Sequence, residues 1–360
     1  MIGQLAIHHR AKSFSDRWIE YCETQSIPYK IVNCLGSDII KQLDSCACLL
    51  WHWSHGDPRE QLVAHHVIMA AEAMGIKVFP GNSTCWYFDD KIAQKYLLEA
   101  IGAPLVPTHV FYDLQDTLQW IEQASYPKVF KLRRGAGSSN VKLVHNAGEA
   151  RALAERAFSG GFSPIPHYGQ DAMKRYRSAS RRGDLLNVVK RIPQVLATIR
   201  DKKKMMGNER GYAYFQDFMP GNDFDTRVTV IGDRAFAYTR NVRPGDFRAS
   251  GSGDVVYDTE RINHKCLEIA FEVTRKVGSQ SMAFDFVFGK DQQPLILEVS
   301  YCYIPQLVYS CPGYWDSKLN RHEERVWPQD AILADLLNDV CGSKQREIRP
   351  DAMPSAISGR

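Results

Sequence analysis

The sequence predicts an α/β protein: a small N-terminal parallel layer, then a larger α+β unit of two lobes. Three observations carry this. Over residues 1–83, short apolar runs alternate with amphipathic helical stretches, the pattern of parallel strands joined by crossover helices. Beyond residue 106 the apolar runs come in neighbouring pairs, such as KVFKL with VKLV and AFDFVF with PLILEV, split by polar turns. The 360 residues, 44% hydrophobic and 24% charged, suit two or three globular domains with real cores.

In order, IGQLAIH reads as a strand, SDRWIEYCETQSI as a helix, YKIVN as a strand, DIIKQLDS as a helix, ACLLWHW as a strand, REQLVAHHVIMAAEAMG as a helix and IKVFPG as a strand. No Gly-rich turn follows the first strand, so this layer is not a dinucleotide site of its own. DDKIAQKYLLEAIG is a helix that Asp89 or Asp90 caps, Gly102 ends and Pro104 seals. VPTHVF, KVFKL and VKLV are strands of a new sheet, with DLQDTLQWIEQA and AGEARALAERAF as its helices. AYFQDFM, TRVTVIG and RAFAYTRNV are further strands. HKCLEIAFEVTRKVG is a helix, with Leu267, Ala270, Phe271, Thr274 and Val277 at helical spacing and Gly278 as its stop. AFDFVF and PLILEV pair as a hairpin turned at 289–291, and a last helix runs from near Pro328 to Gly342. The expected units are 1–83, 84–159 (linker helix and first lobe), a basic insertion at 160–210, 211–342 (second lobe) and a loose tail at 343–360.

Bulk properties exclude several classes. A net charge of +4 is too small to imply nucleic acid by itself. The nine cysteines are scattered without zinc-type spacing, as expected of free thiols in a reducing cytoplasm. The N-terminal apolar stretch is too short for a signal peptide, and no run is long enough to cross a membrane, so a cytoplasmic location is the expectation. Residues 171–210 carry twelve Lys and Arg against four acids. That segment suits either an acidic partner or a solvated basic helix pair. Its few aromatics argue against single-stranded nucleic acid.

Two stretches carry candidate chemistry. In YPKVFKLRRGAGSSNVKLV an eight-residue turn separates two strands, longer than ordinary hairpin loops. Gly135 and Gly137 let the backbone approach a ligand, Ser138 and Ser139 add hydroxyls, and successive N–H groups favour an anion such as phosphate. A strand follows rather than a helix, which excludes a dinucleotide fingerprint. Lys131, one residue inside its strand, either faces solvent or points into the sheet's working side, where it needs an anion. On the late hairpin, Asp285 and Glu298 lie on adjacent strands. Two carboxylates on one face raise each other's pKa unless cations neutralise them. Arginines would satisfy them, and so would Mg²⁺ carrying a nucleotide, a hard cation that keeps room for phosphate oxygens. WHWSHGD, at the end of a parallel strand, offers His52, His55 and Asp57 as crevice residues or as the edge of an aromatic core.

Taken in chain order, the helix start Asp90-Lys91 and then KVFKLRRGAGSSNV, YFQDFMPGNDFDTRVTVIGD, YTRNVRPGDFRASGSGD and MAFDFVFGKDQQPLILEVS resemble the ATP-grasp superfamily, in particular its ribosomal-protein glutamate ligase and glutathione synthetase branch. The resemblance covers about 84–300. It implies a pre-ATP-grasp layer followed by a two-lobed ATP-grasp domain. It implies that Lys91 and Lys131 hold the α- and β-phosphates of ATP and that the 135–139 segment covers the triphosphate. Gln216, Asp217, Phe218 and Met219 resemble the hinge that reads adenine, and Asp223 or Asp225 the acid that takes the ribose hydroxyls. Arg227 resembles the arginine of the DxR motif. Arg240, Arg243 and Arg248 resemble the basic set facing the γ-phosphate and the acceptor carboxylate. Asp285 and Glu298 resemble the Mg²⁺ ligands, with Ser300 where the family usually has Asn. The cofactors implied are ATP and one or two Mg²⁺ ions, with Mn²⁺ able to substitute.

The implied reaction joins a carboxylate to an amine through an acylphosphate, releasing ADP. A small-molecule, peptide or sugar-acid acceptor and an amine donor are the implied partners, with neither membrane nor nucleic acid, and a homo-oligomer is compatible. Alternatives on the same residues are a non-catalytic ATP-binding regulator and a basic protein binding an acidic polymer.

Overall fold

The computed structural model describes residues 3–135, 140–163, 205, 207–243, 245–249, 251 and 253–347. The first unit is a parallel sheet of β1 (Gln4–His8), β2 (Tyr29–Val32), β3 (Cys46–Leu50) and β4 (Lys77–Phe79) in the order β2-β1-β3-β4. Helices α1 (Phe14–Thr24), α2 (Ile39–Gln42) and α3 (Pro58–Ala73) make the crossovers. Asp57 caps α3 through the Arg59 N–H, and Pro58 takes the first turn, where no N–H is needed. The ACLLWHW strand stops at Leu50, so Trp51, His52 and Trp53 lie beyond its carboxyl end.

After α4 (Asn82–Cys85), helix α5 (Lys91–Ala100) begins at Asp90, whose carboxylate accepts from the N–H groups of Ile92 and Ala93. The second sheet is antiparallel: β5 (Thr108–Phe111), β6 (Lys128–Lys131), β7 (Val141–Val144) and β8 (Ala213–Asp217), ordered β5-β8-β6-β7. Helices α6 (Leu114–Gln123) and α7 (Ala147–Phe158) cover it, with Ile121, Phe130, Ala150, Ala154 and Phe215 in the core between. Strand β8 therefore belongs to the first lobe, although the sequence places it with the second. It lies between β5 and β6 and supplies the hydrogen bonds those two strands do not give each other.

The third sheet has seven strands: β9 (Phe224–Ile231), β10 (Arg234–Asn241), β11 (Val255–Val256), β12 (Ser281–Phe288), β13 (Pro294–Ser300), β14 (Tyr314–Asp316) and β15 (Arg321–His322). One core joins α5 and α8 (His264–Val277) to this sheet through Leu98, Leu267, Ala270, Phe284 and Phe286. Gly278 ends α8 in the left-handed region at φ 68°. Another core runs through the parallel sheet, Tyr301 and Tyr303, and α10 (Pro328–Glu347), which follows the short α9 (Pro305–Tyr309). Trp18, Trp51, Phe79 and Tyr301 are fully buried there, each contributing about 1.5–3 kcal/mol. Helix α10 extends past the Gly342 stop expected from sequence. No helix among the described residues is long and apolar enough to cross a membrane.

Candidate active site

Between the two antiparallel sheets lies a cavity of about 290 Å³. Lys131, Gln216, Asp217, Phe218 and Met219 line it from the first lobe; Asp223, Asp225, Asp285, Leu297 and Glu298 line it from the second. Lys91, Gly135, Phe247 and Arg248 also line it.

Lys131 is 5% exposed, at the end of β6, and its Nζ donates to Gln216 Oε1 at 2.6 Å. The Gln216 amide in turn donates to Thr108 Oγ1 at 3.1 Å, which fixes which way it points. Burial lowers the Lys131 ammonium to about 8, against the pull of Glu298 and Asp285. Lys91, also buried, donates to the Gly135 carbonyl at 2.9 Å and stands 3.4 Å from Glu298 Oε1. Gly137, Ser138 and Ser139 lie outside the described residues.

Asp285 and Glu298 are register partners across β12 and β13, so both reach one face. A bulge between Asp285 and Phe286 sends Leu297 and Glu298, consecutive residues, into the cavity together. Asp285 is already paired with two guanidiniums. Arg227 grips both of its oxygens, and Arg240 Nη2 lies 2.7 Å from Oδ1. Burial opposes ionisation of Asp285, yet the two guanidiniums hold its carboxyl down at about 2. Arg240 also forks onto Asp225 at 2.8 and 2.5 Å. Burial and the Asp285 charge push the Asp225 carboxyl up.

This ladder bears on two sequence-based expectations. Arg240, 7% exposed and expected toward the γ-phosphate, pairs with Asp225 and Asp285, and Arg227, expected as the DxR arginine, pairs with Asp285. Asp225, 4% exposed, is committed to Arg240, so of the two acids offered for ribose hydroxyls Asp223 is the one without such a partner among the described residues. Ser300 is also committed locally: its hydroxyl donates to the Cys302 carbonyl and accepts the Cys302 N–H, each at 3.0 Å.

Arg248 forks onto Asp246 at 2.7–3.0 Å, and Arg243 lies 4.0 Å from the same carboxylate. Hydrogen bonds from Arg248 hold the Asp246 carboxyl below its usual range, the wrong direction for a general base.

Among the described residues no cluster of three or more His, Cys, Asp or Glu could hold a metal. The donor set nonetheless fits Mg²⁺. Asp285 Oδ1 has two arginine donors but Oδ2 only one, which leaves it a lone pair, and Glu298 is a third exposed. Mg²⁺ is ordinarily held by one or two carboxylates plus substrate phosphates.

Sequence reasoning missed three contributors. Asn222 ties the hinge to β12, donating to the Met219 carbonyl at 3.2 Å and the Phe288 carbonyl at 3.0 Å and accepting the Phe288 N–H at 2.8 Å. The turn pair Gly221-Asn222 was its signal. Phe247 packs edge-on against Phe218, 5.9 Å between ring centres. Asp89, left-handed at φ 54°, accepts the Gly135 N–H at 2.9 Å and anchors the start of the Gly-rich segment.

Residues 188–306 match the family described as RimK-like ATP-grasp domain. No curated protein matches the chain in sequence. The solved structure of the D-cycloserine synthetase DcsG aligns with a TM-score of 0.56 at 15% identity, covering 93% of this chain and 100% of that one. A RimK-domain ATP-grasp protein from Sphaerobacter thermophilus DSM 20745 aligns at 0.54 and 15% identity, covering 92% and 98%. The ATP-grasp ligase PsnB, solved with its precursor peptide PsnA2 and AMPPNP, aligns at 0.51 and 12% identity, covering 92% and 98%. At these identities the structural likeness speaks for the fold, and the RimK-like match concerns residues 188–306. A parallel layer and two antiparallel sheets around a cavity give this chain the fold of solved ATP-grasp proteins, and its residues 188–306, which span the acidic hairpin, match the RimK-like ATP-grasp domain.

Proposed function

We propose that the protein is an ATP- and Mg²⁺-dependent carboxylate–amine ligase that forms an amide or peptide bond through an acylphosphate. The observation that carries this is the cavity between the antiparallel sheets, where the buried Lys131 and Lys91 face the cross-strand pair Asp285 and Glu298. A triphosphate is the kind of ligand that such a cavity neutralises.

In this reading Lys131 and Lys91 meet the phosphates, and Gln216 holds the Lys131 ammonium in place. Phe218, Met219, Phe247 and Leu297 give the apolar end that suits a base, and Asp223 takes ribose hydroxyls. Mg²⁺ would rest on Asp285 Oδ2 and Glu298, and when bound it neutralises phosphate charge. The acceptor carboxylate oxygen attacks the γ-phosphorus and ADP leaves. The amine then attacks the acyl carbon, and the phosphate departs with the C–O electron pair. Positioning and charge neutralisation do most of such a reaction. Support from structures of similar fold is that DcsG is named a D-cycloserine synthetase and that PsnB, named an ATP-grasp ligase, was solved in complex with a precursor peptide and AMPPNP.

The test is incubation with MgATP and pooled amino acids, small peptides, uronic acids and amines. ADP and phosphate are the expected products; AMP and pyrophosphate would contradict the acylphosphate route. A second reading, a regulatory protein that binds ATP without catalysis, draws on one observation: Asp285 already has its charge balanced by Arg227 and Arg240. Tight MgATP binding with no ADP from any pool would favour it. The basic segment behind the acidic-polymer reading lies almost wholly outside the described residues.

A further inference from the structure

The carboxyl ends of β1 and β3 lie side by side where the chain's crossovers diverge. From β1 the chain passes to β2 on one side, and β3 then pairs on the other. In open α/β sheets such a point makes a ligand crevice. Arg10 stands just past β1, and His52 just past β3.

Arg10 Nη2 donates to the His52 carbonyl at 2.8 Å and lies 3.4 Å from Ser13 Oγ. Its Nε is buried without a hydrogen-bond partner, and among the described residues no carboxylate lies within ion-pair distance of the guanidinium. A buried guanidinium nitrogen with an unmet donor is costly even on a half-buried side chain, and an anion relieves it. Glu60 borders this end of the sheet, but the Ser54 N–H takes it at 2.5 Å and His8 lies 3.8 Å from it.

The facing wall is polar but uncharged. His52 Nδ1 is 2.9 Å from Ser13 Oγ, and Nε2 is 3.3 Å from Cys302 Sγ. The ring stacks on Phe14 with centres 3.9 Å apart. Burial lowers the imidazole to about 3 and raises the Cys302 thiol to about 11, so both are neutral near physiological pH. Cys302 is tied to Ser300 at the end of β13, the strand that carries Glu298. The crevice wall is therefore continuous with the acidic hairpin.

We propose that this crevice is the acceptor subsite. Arg10 grips one carboxylate of an acceptor that carries two, an acidic amino acid or short acidic peptide; Ser13 and neutral His52 line the pocket, and the second, reacting carboxylate turns toward Glu298. The assignment rests on the ligase reading above.

The test uses the full chain with Arg10→Gln, which keeps a donor and loses the charge, and Arg10→Lys, which keeps the charge. The melting temperature of each without ligand checks the fold. MgAMPPNP affinity is measured next and is expected to be unchanged in both. Acidic amino acids and dipeptides with two carboxylates are then added to the AMPPNP-loaded proteins alongside the same compounds with one carboxylate, at either position, made a carboxamide. The acids should stabilise the wild type and the carboxamides should not. In ADP-release assays with the acids that bind, Arg10→Gln should raise the acceptor KM by about tenfold or more with little change in kcat, and Arg10→Lys should recover part of the loss. Equal binding of acids and carboxamides, an unaltered KM in Arg10→Gln, or no stabilisation of the nucleotide-loaded wild type by any acid overturns the crevice assignment. Failure of the wild type to bind MgAMPPNP is a different result, and it overturns the ligase reading itself.

Discussion

Asp285 and Glu298 face each other across adjacent antiparallel strands, yet each answers to its own cations: Arg227 and Arg240 for Asp285, Lys91 for Glu298. In the proposed ligase reading, a metal–phosphate complex would meet two acids that are each already paired.

Lys131 should show this through pH. Its ammonium sits at about 8 when folded, against an ordinary 10.5. Between those values the unfolded chain binds the extra proton, so this residue's contribution to stability rises with pH across that window. Phosphate binding needs the charged form, so nucleotide affinity should weaken as pH climbs through about 8. Calorimetric titration at several pH values checks this, and Lys131→Met should flatten the profile. The same variant should cut turnover about a hundredfold or more, the loss expected of one preorganised charge.

The arginine ladder predicts acid sensitivity in a definite order. Asp285, with its pKa lowered to about 2 from 3.8, contributes stability that is full above 3.8 and lost as pH falls through about 2. Asp225, pushed up by burial and its neighbour, protonates first. Carboxyl NMR shifts followed down in pH should register Asp225 before Asp285. Asp285→Asn should cost about 3–5 kcal/mol in urea unfolding, because two buried guanidiniums lose their shared anion.

Asp223 and Asp225 should separate cleanly on substitution. Asp223→Ala is expected to weaken ATP binding by about 1.5–3 kcal/mol and to erase discrimination against deoxyribose analogues, with the melting temperature unmoved. Asp225→Ala is expected to lower the melting temperature instead, since it strips Arg240 of a bidentate partner. If Asp223→Ala bound both sugars like the wild type, Asp223 would lose its ribose role.

Gly278→Ala tests the fold apart from the site. A Cβ there meets nothing within 4 Å, but the backbone is left-handed at φ 68°. The expected cost is about 1–2 kcal/mol of unfolding free energy with unchanged nucleotide affinity.

Much of the site was legible because its parts are local. Lys131 follows a strand register, Asp90 caps a helix that begins with Lys91, and Asp285 and Glu298 sit on strands joined by a short turn. What stayed hidden depended on registers that no local pattern reports. The bulge beside Asp285 decides that Leu297 and Glu298 both face the cavity. Arg240 reaches Asp285 only because β10, β9 and β12 lie in that order. Sequence spacing offered arginine pairing and metal binding equally for Asp285, and only the cross-strand geometry shows the arginines in place.

The amino-acid sequence by itself determined the alternation of the first unit, the hairpin pairs of the second, the helix caps and the residue types of the site. Those follow from side-chain periodicity and backbone preferences acting over a few residues. Tertiary structure alone decided that β8 completes the first lobe, that α10 returns to cover the N-terminal sheet, and that Arg10 meets His52 beside Cys302. Those contacts join residues far apart in the chain, brought together by the burial of apolar faces whose partners local pattern does not name.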